Sequence, residues 1–382
     1  MSRVALAAVA GSVVFVASCS LPNAGLFDRG QVGDTPQYRT EGDAFLRGEL
    51  PYRDFYLEYP PGALAPFSAA AVGSDSGYAT RFKVLALLLG IGTIWLTAVA
   101  LGRLRADPRR LFGACAFVGL APALLGPVVI VNYDLWPAFL TSAALVLLLG
   151  RRELGAAGAL ALATAAKLYA VVLLPLVLLR SRRRTAVLGT FAAVAALVLL
   201  PFFALAPRGM AYDLSITARR PLQIESLGSS VLLAAHRLGL YEAHVNSIAN
   251  SQNLGGALPK ALAALAGLIT LAALGAVYVA FARGEDGPER IVLAVAAAVC
   301  GLVAFGKVLS PQYLLWLVPL IALVRTRVAW ALLAAALVLT QLWFPRHYGQ
   351  VVALGPEVWL VLVRNLVLVA LFAFLLTRLR RA

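Results

Sequence analysis

The chain has 382 residues, 61% of them hydrophobic and only 13% charged, with a formal net charge of +15. Soluble globular proteins are roughly 45–50% apolar and about 25% charged, so the composition excludes a soluble enzyme or binding module. The positive excess does not point to nucleic acid, because it is segregated along the chain. Eighteen basic residues, all arginine, flank alternate apolar blocks: Arg3; Arg103, Arg105, Arg109, Arg110; Arg151, Arg152; Arg180, Arg182, Arg183, Arg184; Arg283, Arg290; Arg325, Arg327; Arg378, Arg380, Arg381. Five acids accompany them, while the other 15 basic and 13 acidic residues nearly cancel. That distribution is the positive-inside signature of a polytopic membrane protein.

In chain order the apolar blocks lie at 4–21, 82–102, 111–130, 134–150, 155–179, 185–206, 258–282, 291–306, 311–324, 328–344 and 357–377. About 20 apolar residues in a helix cross the hydrocarbon core with every backbone group satisfied internally. The arginines alternate along these blocks except at 155–179, which has Arg151 and Arg152 before it and Arg180 to Arg184 after it. A re-entrant helical hairpin over 155–180, broken near Lys167–Tyr169, restores the alternation; each half of about 12 residues rises only ~18 Å. The expected fold is therefore an all-α polytopic membrane protein, one integral domain over 1–382. It has about ten transmembrane helices plus the hairpin, and both termini are cytoplasmic. Two long polar segments, 22–81 and 207–257, then fall on the extracytoplasmic side, together with "VNYDLW", "GKVLSPQY" and "FPRHYGQ". Cys19, Cys115 and Cys300 are scattered and form no CxxC pair, so neither a disulfide framework nor a metal site is expected. The "VASCS" at 16–20 has the look of a lipoprotein cleavage box, set aside because the chain downstream is itself membrane-embedded.

The first loop, 22–81, is rich in chemistry and carries eight acids against five basic residues. Loops of this length usually serve function. Helical spacing from Gln37 to Leu50 places Tyr38, Phe45 and Leu46 on one face along the membrane surface, and Pro51 is expected to stop that helix. Asp34, Asp43, Asp54 and Glu58 offer carboxylates to a cavity there, as a general base for a hydroxyl. The alternative is that they are solvated or paired with Arg39, Arg47 and Arg53. Asp34 precedes Tyr38 by four residues, which puts both on one helical face; its alternative role is an N-cap ahead of Pro36. Asn132 and Asp134 either cap the following span or position the hairpin or the first loop. Lys167 is a buried cation that either meets an anion or anchors the hairpin. Lys307 ends an apolar run, where an unpaired ammonium is costly unless it snorkels to the interface.

Taken in order, "DTPQY", "PYRDFYLEYPPGAL", "VNYDLWPA", "AAKLYAVVLLPLVLL", "RPLQIESL" and "KVLSPQYLLWLVPL" resemble glycosyltransferase family 87 over nearly the whole chain. These are polyprenol-phosphate-mannose-dependent α-mannosyltransferases of the GT-C superfamily, found in actinobacteria. The resemblance implies a catalytic aspartate in the first outer loop, often with a tyrosine four residues on, here Asp34 and Tyr38, with Asp43 as the second choice. It implies an inverting transfer from a polyprenyl-phosphate sugar to a hydroxyl of a cell-envelope glycolipid, glycan or protein at the outer face of the cell membrane. Lys307, Arg219, Arg220, Arg346, His347 and Lys167 become candidates for the donor phosphate, and Gln312 and Tyr313 for its sugar. Tyr38, Glu58, Tyr59, Gln223, Glu225 and Asp134 become acceptor or cavity residues, with a local polar cluster as the alternative for Arg220, Gln223 and Glu225. No cofactor or metal is expected, since His236, His244 and His347 lack ligand spacing and no GxGxxG or P-loop is present. A transporter or lipid flippase, which would show repeated halves, and a non-catalytic scaffold are the competing classes.

Overall fold

A computed structural model describes residues 2–21, 33–248 and 250–382, apart from the Asp75 side chain. Helix follows helix: α1 Arg3–Ser20, α2 Thr35–Leu46, α3 Leu64–Ala71, α4 Tyr78–Arg103, α5 Pro108–Gly119, α6 Ala121–Leu125, α7 Val128–Val131, α8 Leu135–Leu149, α9 Glu153–Ala166, α10 Leu174–Arg180 and α11 Arg184–Leu205. After these come α12 Pro207–Arg219, α13 Leu227–Arg237, α14 Ala257–Ala282, α15 Pro288–Phe305, α16 Leu314–Ala322, α17 Arg327–Trp343, α18 Tyr348–Val352 and α19 Val358–Arg381. Six of them, α1, α4, α11, α14, α15 and α19, are long and apolar enough to cross a membrane by themselves. The chain is a polytopic helical membrane protein.

Two compact units divide the chain. The first comprises Met1–Ser215 with Val318–Leu323, the second Ile216–Leu317 with Val324–Ala382. Within the first unit α1 packs against α4 and α5, α8 against α4 and α9, and α9 against α11. Within the second, α19 packs against α13, α14, α15 and α17. The second unit also holds a small antiparallel sheet. Its strands are β1 Leu222–Gln223, β2 Val245–Ile248 and β3 Ser251–Leu254, in the order β1-β3-β2.

Several arginines counted as topology signals also close helix ends. Arg103 donates through Nη1 to the Val146 carbonyl of α8. Arg110 donates to the Leu323 carbonyl at 2.5 Å. Arg290, only 5% exposed, donates to the carbonyls of Leu379 and Ala280. The last four carbonyls of a helix have no partner within the helix, and a guanidinium satisfies them while complementing the helix dipole.

The block 111–130 is not one continuous span. It is broken into α5, α6 and α7 where Pro122, Gly126 and Pro127 interrupt the helical pattern. The helix expected over Gln37–Leu50 begins earlier, at Thr35, and stops at Leu46. The stop is Gly48 at φ +86°, a left-handed conformation suited to glycine, and Pro51 lies beyond it. Near Lys167–Tyr169 the chain does break. Lys167 takes an extended conformation, φ −159° and ψ 125°, followed by a 3-10 turn and then α10, which touches α9.

Candidate active site

The first unit gathers polar residues where α2, α7, α8 and the Lys167 break meet. Asp34 stands at the N-cap position of α2, its carbonyl accepting the Tyr38 amide at 2.9 Å, with Pro36 in the first turn. Its carboxylate makes no capping bond among the described residues. Instead Oδ2 accepts from the Tyr38 hydroxyl at 3.1 Å and from Asn132 Nδ2 at 3.4 Å. The four-residue spacing that put Asp34 and Tyr38 on one face thus delivers a direct contact. Thr35 ties the start of α2 to the end of α7, its hydroxyl donating to the Val131 carbonyl at 2.8 Å.

Tyr38 is completely buried and is the hub of an aromatic cluster: its ring stacks on Phe67 at 4.3 Å and meets Tyr59 and Tyr133 edge-on at 5.9 and 5.6 Å. Burial raises the phenol well above its ordinary pKa, so it stays protonated and acts as a donor to Asp34. Burial also raises the Asp34 carboxyl, and nearby Glu58 and Asp134 add to that, while the Tyr38 hydrogen bond and Lys167 oppose it. Glu41, two turns further along α2 and 4% exposed, accepts from Gln37 Nε2 at 2.8 Å and is pushed up by burial to about 7.

Asp134 is fully buried and sits at the N-cap position of α8, yet it does not cap. Its Oδ1 takes Lys167 Nζ at 2.7 Å, and the ammonium lies 4.6 Å from the centre of the Tyr133 ring. Of the two readings of Asp134 the cap is therefore corrected, and the contact is of the other kind: its side chain reaches across to the break after α9. Lys167 can arrive there because its extended backbone swings the chain out of the α9 helix. Gly62 of the "EYPPG" turn lies against the backbone of Ala165 and Ala166, where an added Cβ would come within 2.6–2.7 Å of main-chain atoms. That turn is thereby held to the end of α9, with Trp136 Nε1 donating to the Gly62 carbonyl at 3.1 Å.

Of the other acids in the first loop, Asp43 pairs with Arg39 at 3.4 Å and Asp54 with Arg53 at 2.8 Å. Asp54 also accepts the Leu50 amide, and the two contacts hold its carboxyl down to about 2. Glu58 and Tyr59 are half-buried, Tyr59 with its ring 4.8 Å from that of Tyr133. A cavity of about 760 Å³ opens beside Asp34, lined by both its neighbours, Gly33 and Thr35, and by Arg39, Asp43, Arg47 and Lys83. A second, apolar groove of about 330 Å³ runs along Phe45, Leu64, Trp136, Leu162 and Phe202.

The second unit holds the remaining residues singled out in the sequence. Gln223, 4% exposed, clamps the 307–310 segment. Its amide N–H donates to the Lys307 carbonyl at 2.9 Å, its Oε1 accepts the Leu309 amide at 2.9 Å, and its Nε2 donates to Ser310 Oγ at 3.1 Å. Nε2 also donates to Glu225 Oε2 at 2.6 Å. The Glu225 carbonyl accepts from Arg364 Nη2 at 2.9 Å and Asn365 Nδ2 at 3.1 Å. Burial drives the Glu225 carboxyl to about 8, against the pull of Arg364. Gln223 and Glu225 thus form the local polar cluster, built around Arg364 and Asn365, which the sequence reading missed. An arginine in the middle of an apolar block is costly without partners, and that cost was the available signal. Lys307 donates to the Ala218 carbonyl at 2.7 Å, and partial burial lowers its pKa. Tyr313 stacks on Trp316 at 4.2 Å, Gln312 and Arg220 are half-buried, Arg219 and Arg346 are exposed, and His347 Nδ1 meets Gln350 Oε1 at 2.9 Å.

Long apolar helices, with a half-buried carboxylate held by a tyrosine and an asparagine beside a polar cavity, define a membrane protein with a polar centre among its helices. Residues 56–311, about two thirds of the chain, match glycosyltransferase family 87, and the chain belongs to that family; it is a membrane glycosyltransferase. No curated protein matches it. The matched stretch contains Asn132, Asp134, Lys167, Gln223, Glu225 and Lys307. Asp34, Tyr38 and Asp43 lie ahead of it, and Gln312, Tyr313, Arg346 and His347 lie after it.

Proposed function

We propose that this glycosyltransferase moves a sugar, with mannose the first to test, from polyprenyl phosphate to a hydroxyl of a cell-envelope glycolipid, glycan or protein. Transfer takes place at the extracytoplasmic face, inverts the anomeric centre and uses Asp34 as general base. The observation that carries this reading is the Asp34 carboxylate, half-buried, held by Tyr38 and Asn132 and flanked by two residues of the cavity wall. Asn132, inside the matched region, touches Asp34, outside it, so the two are parts of one arrangement.

In this mechanism Asp34 removes the proton of the acceptor hydroxyl as its oxygen attacks the anomeric carbon from the face opposite the phosphate. The C–O bond to phosphate breaks and polyprenyl phosphate leaves as an anion, which needs no proton. One carboxylate therefore suffices, unlike the paired acids of glycoside hydrolysis. A raised pKa suits the task, because the strength of a carboxylate base grows with it. The apolar groove on α3, α8 and α9 offers a path for an isoprenoid chain.

The test is transfer from labelled polyprenyl-phosphate mannose to a panel of envelope acceptors. The Asp34→Asn variant is expected to lose roughly 10²–10⁴-fold in rate with the fold intact. The acid limb of the wild-type rate profile should lie above the ordinary aspartate range, since the shift is upward. Unchanged transfer by Asp34→Asn would remove Asp34 from the mechanism, and flux of substrate across liposomes without transfer would favour a transporter.

A further inference from the structure

We propose that the loops before α9 and after α10 together form a site for the headgroup of an anionic phospholipid. The inference does not depend on the transfer reading. These loops carry six arginines, Arg151, Arg152, Arg180, Arg182, Arg183 and Arg184, and one acid, Glu153. In sequence the arginines form two separate runs, and the fold makes them one patch. The buried Ser181 hydroxyl donates to the Glu153 carboxylate, 28 residues away, so the chain leaving α10 stands against the first turn of α9. The Arg183 amide donates to the same hydroxyl at 2.9 Å, which ties the second run to that point. The one acid of the patch is thereby engaged.

Not every arginine there is available. Arg184 holds the end of α10, its Nε donating to the Leu178 carbonyl at 3.1 Å, and Arg180 is likewise engaged. Arg151, Arg152, Arg182 and Arg183 differ: all four are exposed, and none pairs with a carboxylate among the described residues. Arg151 is also held in a costly conformation. Its amide donates to the Leu148 carbonyl and that of Arg152 to Leu147, the Schellman closure of α8, with Arg151 at φ +57°. That position favours glycine, and the glycine of this turn, Gly150, comes one residue earlier.

The surface beside these cations is apolar and bare. Leu154 and Leu179, close in sequence to the two ends of the Ser181–Glu153 contact, are 37% and 39% exposed. Leu188, one turn beyond Arg184 on the same face of α11, is 49% exposed, and Val187 is the one buried residue of that helix. Cations bordering exposed leucines match an amphiphile: its phosphate takes the guanidinium forks while its acyl chains cover the leucines. Orientation in the bilayer needs basic residues near a helix end, and it needs neither their convergence from two runs nor a left-handed arginine.

The experiment compares retention of phosphatidylglycerol and phosphatidylcholine by the purified full-length protein, read by native mass spectrometry from detergent. Wild type should retain phosphatidylglycerol at least about ten-fold better. Arg151→Gln with Arg152→Gln, and separately Arg182→Gln with Arg183→Gln, should each lower that preference about ten-fold, because both runs serve one headgroup. Arg180 and Arg184 remain in the second variant to keep its orientation. Arg182→Lys with Arg183→Lys should keep part of the preference, since lysine carries the charge without the fork. Arg380→Gln with Arg381→Gln, which removes two exposed cations at the end of α19, should leave it unchanged. A large excess of glycerophosphoglycerol, the same headgroup without acyl chains, should fail to displace the lipid. Displacement by it would overturn the lipid assignment in favour of a soluble anion. Equal retention of the two lipids, loop variants that bind as wild type does, or an equal loss from the α19 variant would overturn the site.

Discussion

The two units use buried charge in opposite ways. In the first, Asp34 keeps a half-buried carboxylate bound by a phenol and an amide, beside a cavity. In the second, Gln223, Arg364 and Asn365 direct their hydrogen bonds to the chain's own carbonyls, amides and hydroxyls. Both sets are polar groups embedded among apolar helices, and from sequence both look equally functional. What separates them is that the second set binds largely main chain, whereas the first binds side chains next to a cavity. A buried charge that binds main chain fixes a loop, whereas one turned to a cavity is available to a ligand.

That contrast can be broken at several points. The largest effect belongs to Asp34→Asn, which should abolish most transfer while leaving thermal stability near wild type. The next is the Lys167–Asp134 pair. Lys167→Met should destabilise by about 3–5 kcal/mol, because it strands a fully buried carboxylate. The double change Lys167→Met with Asp134→Leu should recover much of that loss, as measured by thermal unfolding in detergent. If the double variant is no more stable than Lys167→Met, the pair is not the unit of stability described.

Glu41 gives a smaller, pH-dependent effect. Its folded pKa of about 7 lies above the ordinary glutamate value, so its contribution to stability is present at acid pH and is lost as pH rises through neutrality. Glu41→Gln should therefore raise the unfolding temperature at pH 8, by an amount corresponding to about 1–3 kcal/mol, and the gain should vanish below about pH 4.5. A pH-independent gain would contradict the assignment. The smallest effect is expected at Asp54, exposed and paired to Arg53: Asp54→Asn should leave transfer unchanged within error of the assay.

The membrane class was legible because apolar length and arginine placement are properties of the chain itself. The Asp34–Tyr38 contact was legible for the same reason: both residues sit on one helix four positions apart. The meeting of Asp34 with Asn132, 98 residues away, was not, since no spacing rule spans two helices. For Asp134, preceding a span favoured a cap over positioning the hairpin; its partner, Lys167, comes within reach through the extended backbone after α9. The segment 207–257 appeared only polar in sequence, because strands of two to four residues are too short to carry a period.

Arg103, Arg110 and Arg290 each perform two tasks at different times. As cations next to an apolar block they bias which way that segment enters the bilayer, and they do so before any tertiary contact exists. Only after neighbouring helices have come together can Arg103 find the Val146 carbonyl, or Arg290 those of Leu379 and Ala280. Lysine would serve the first task and fail at the fork-shaped second one. A lysine scan at these positions would therefore separate insertion from assembly: correct orientation with a loosened bundle marks the later event, and inverted orientation marks the earlier.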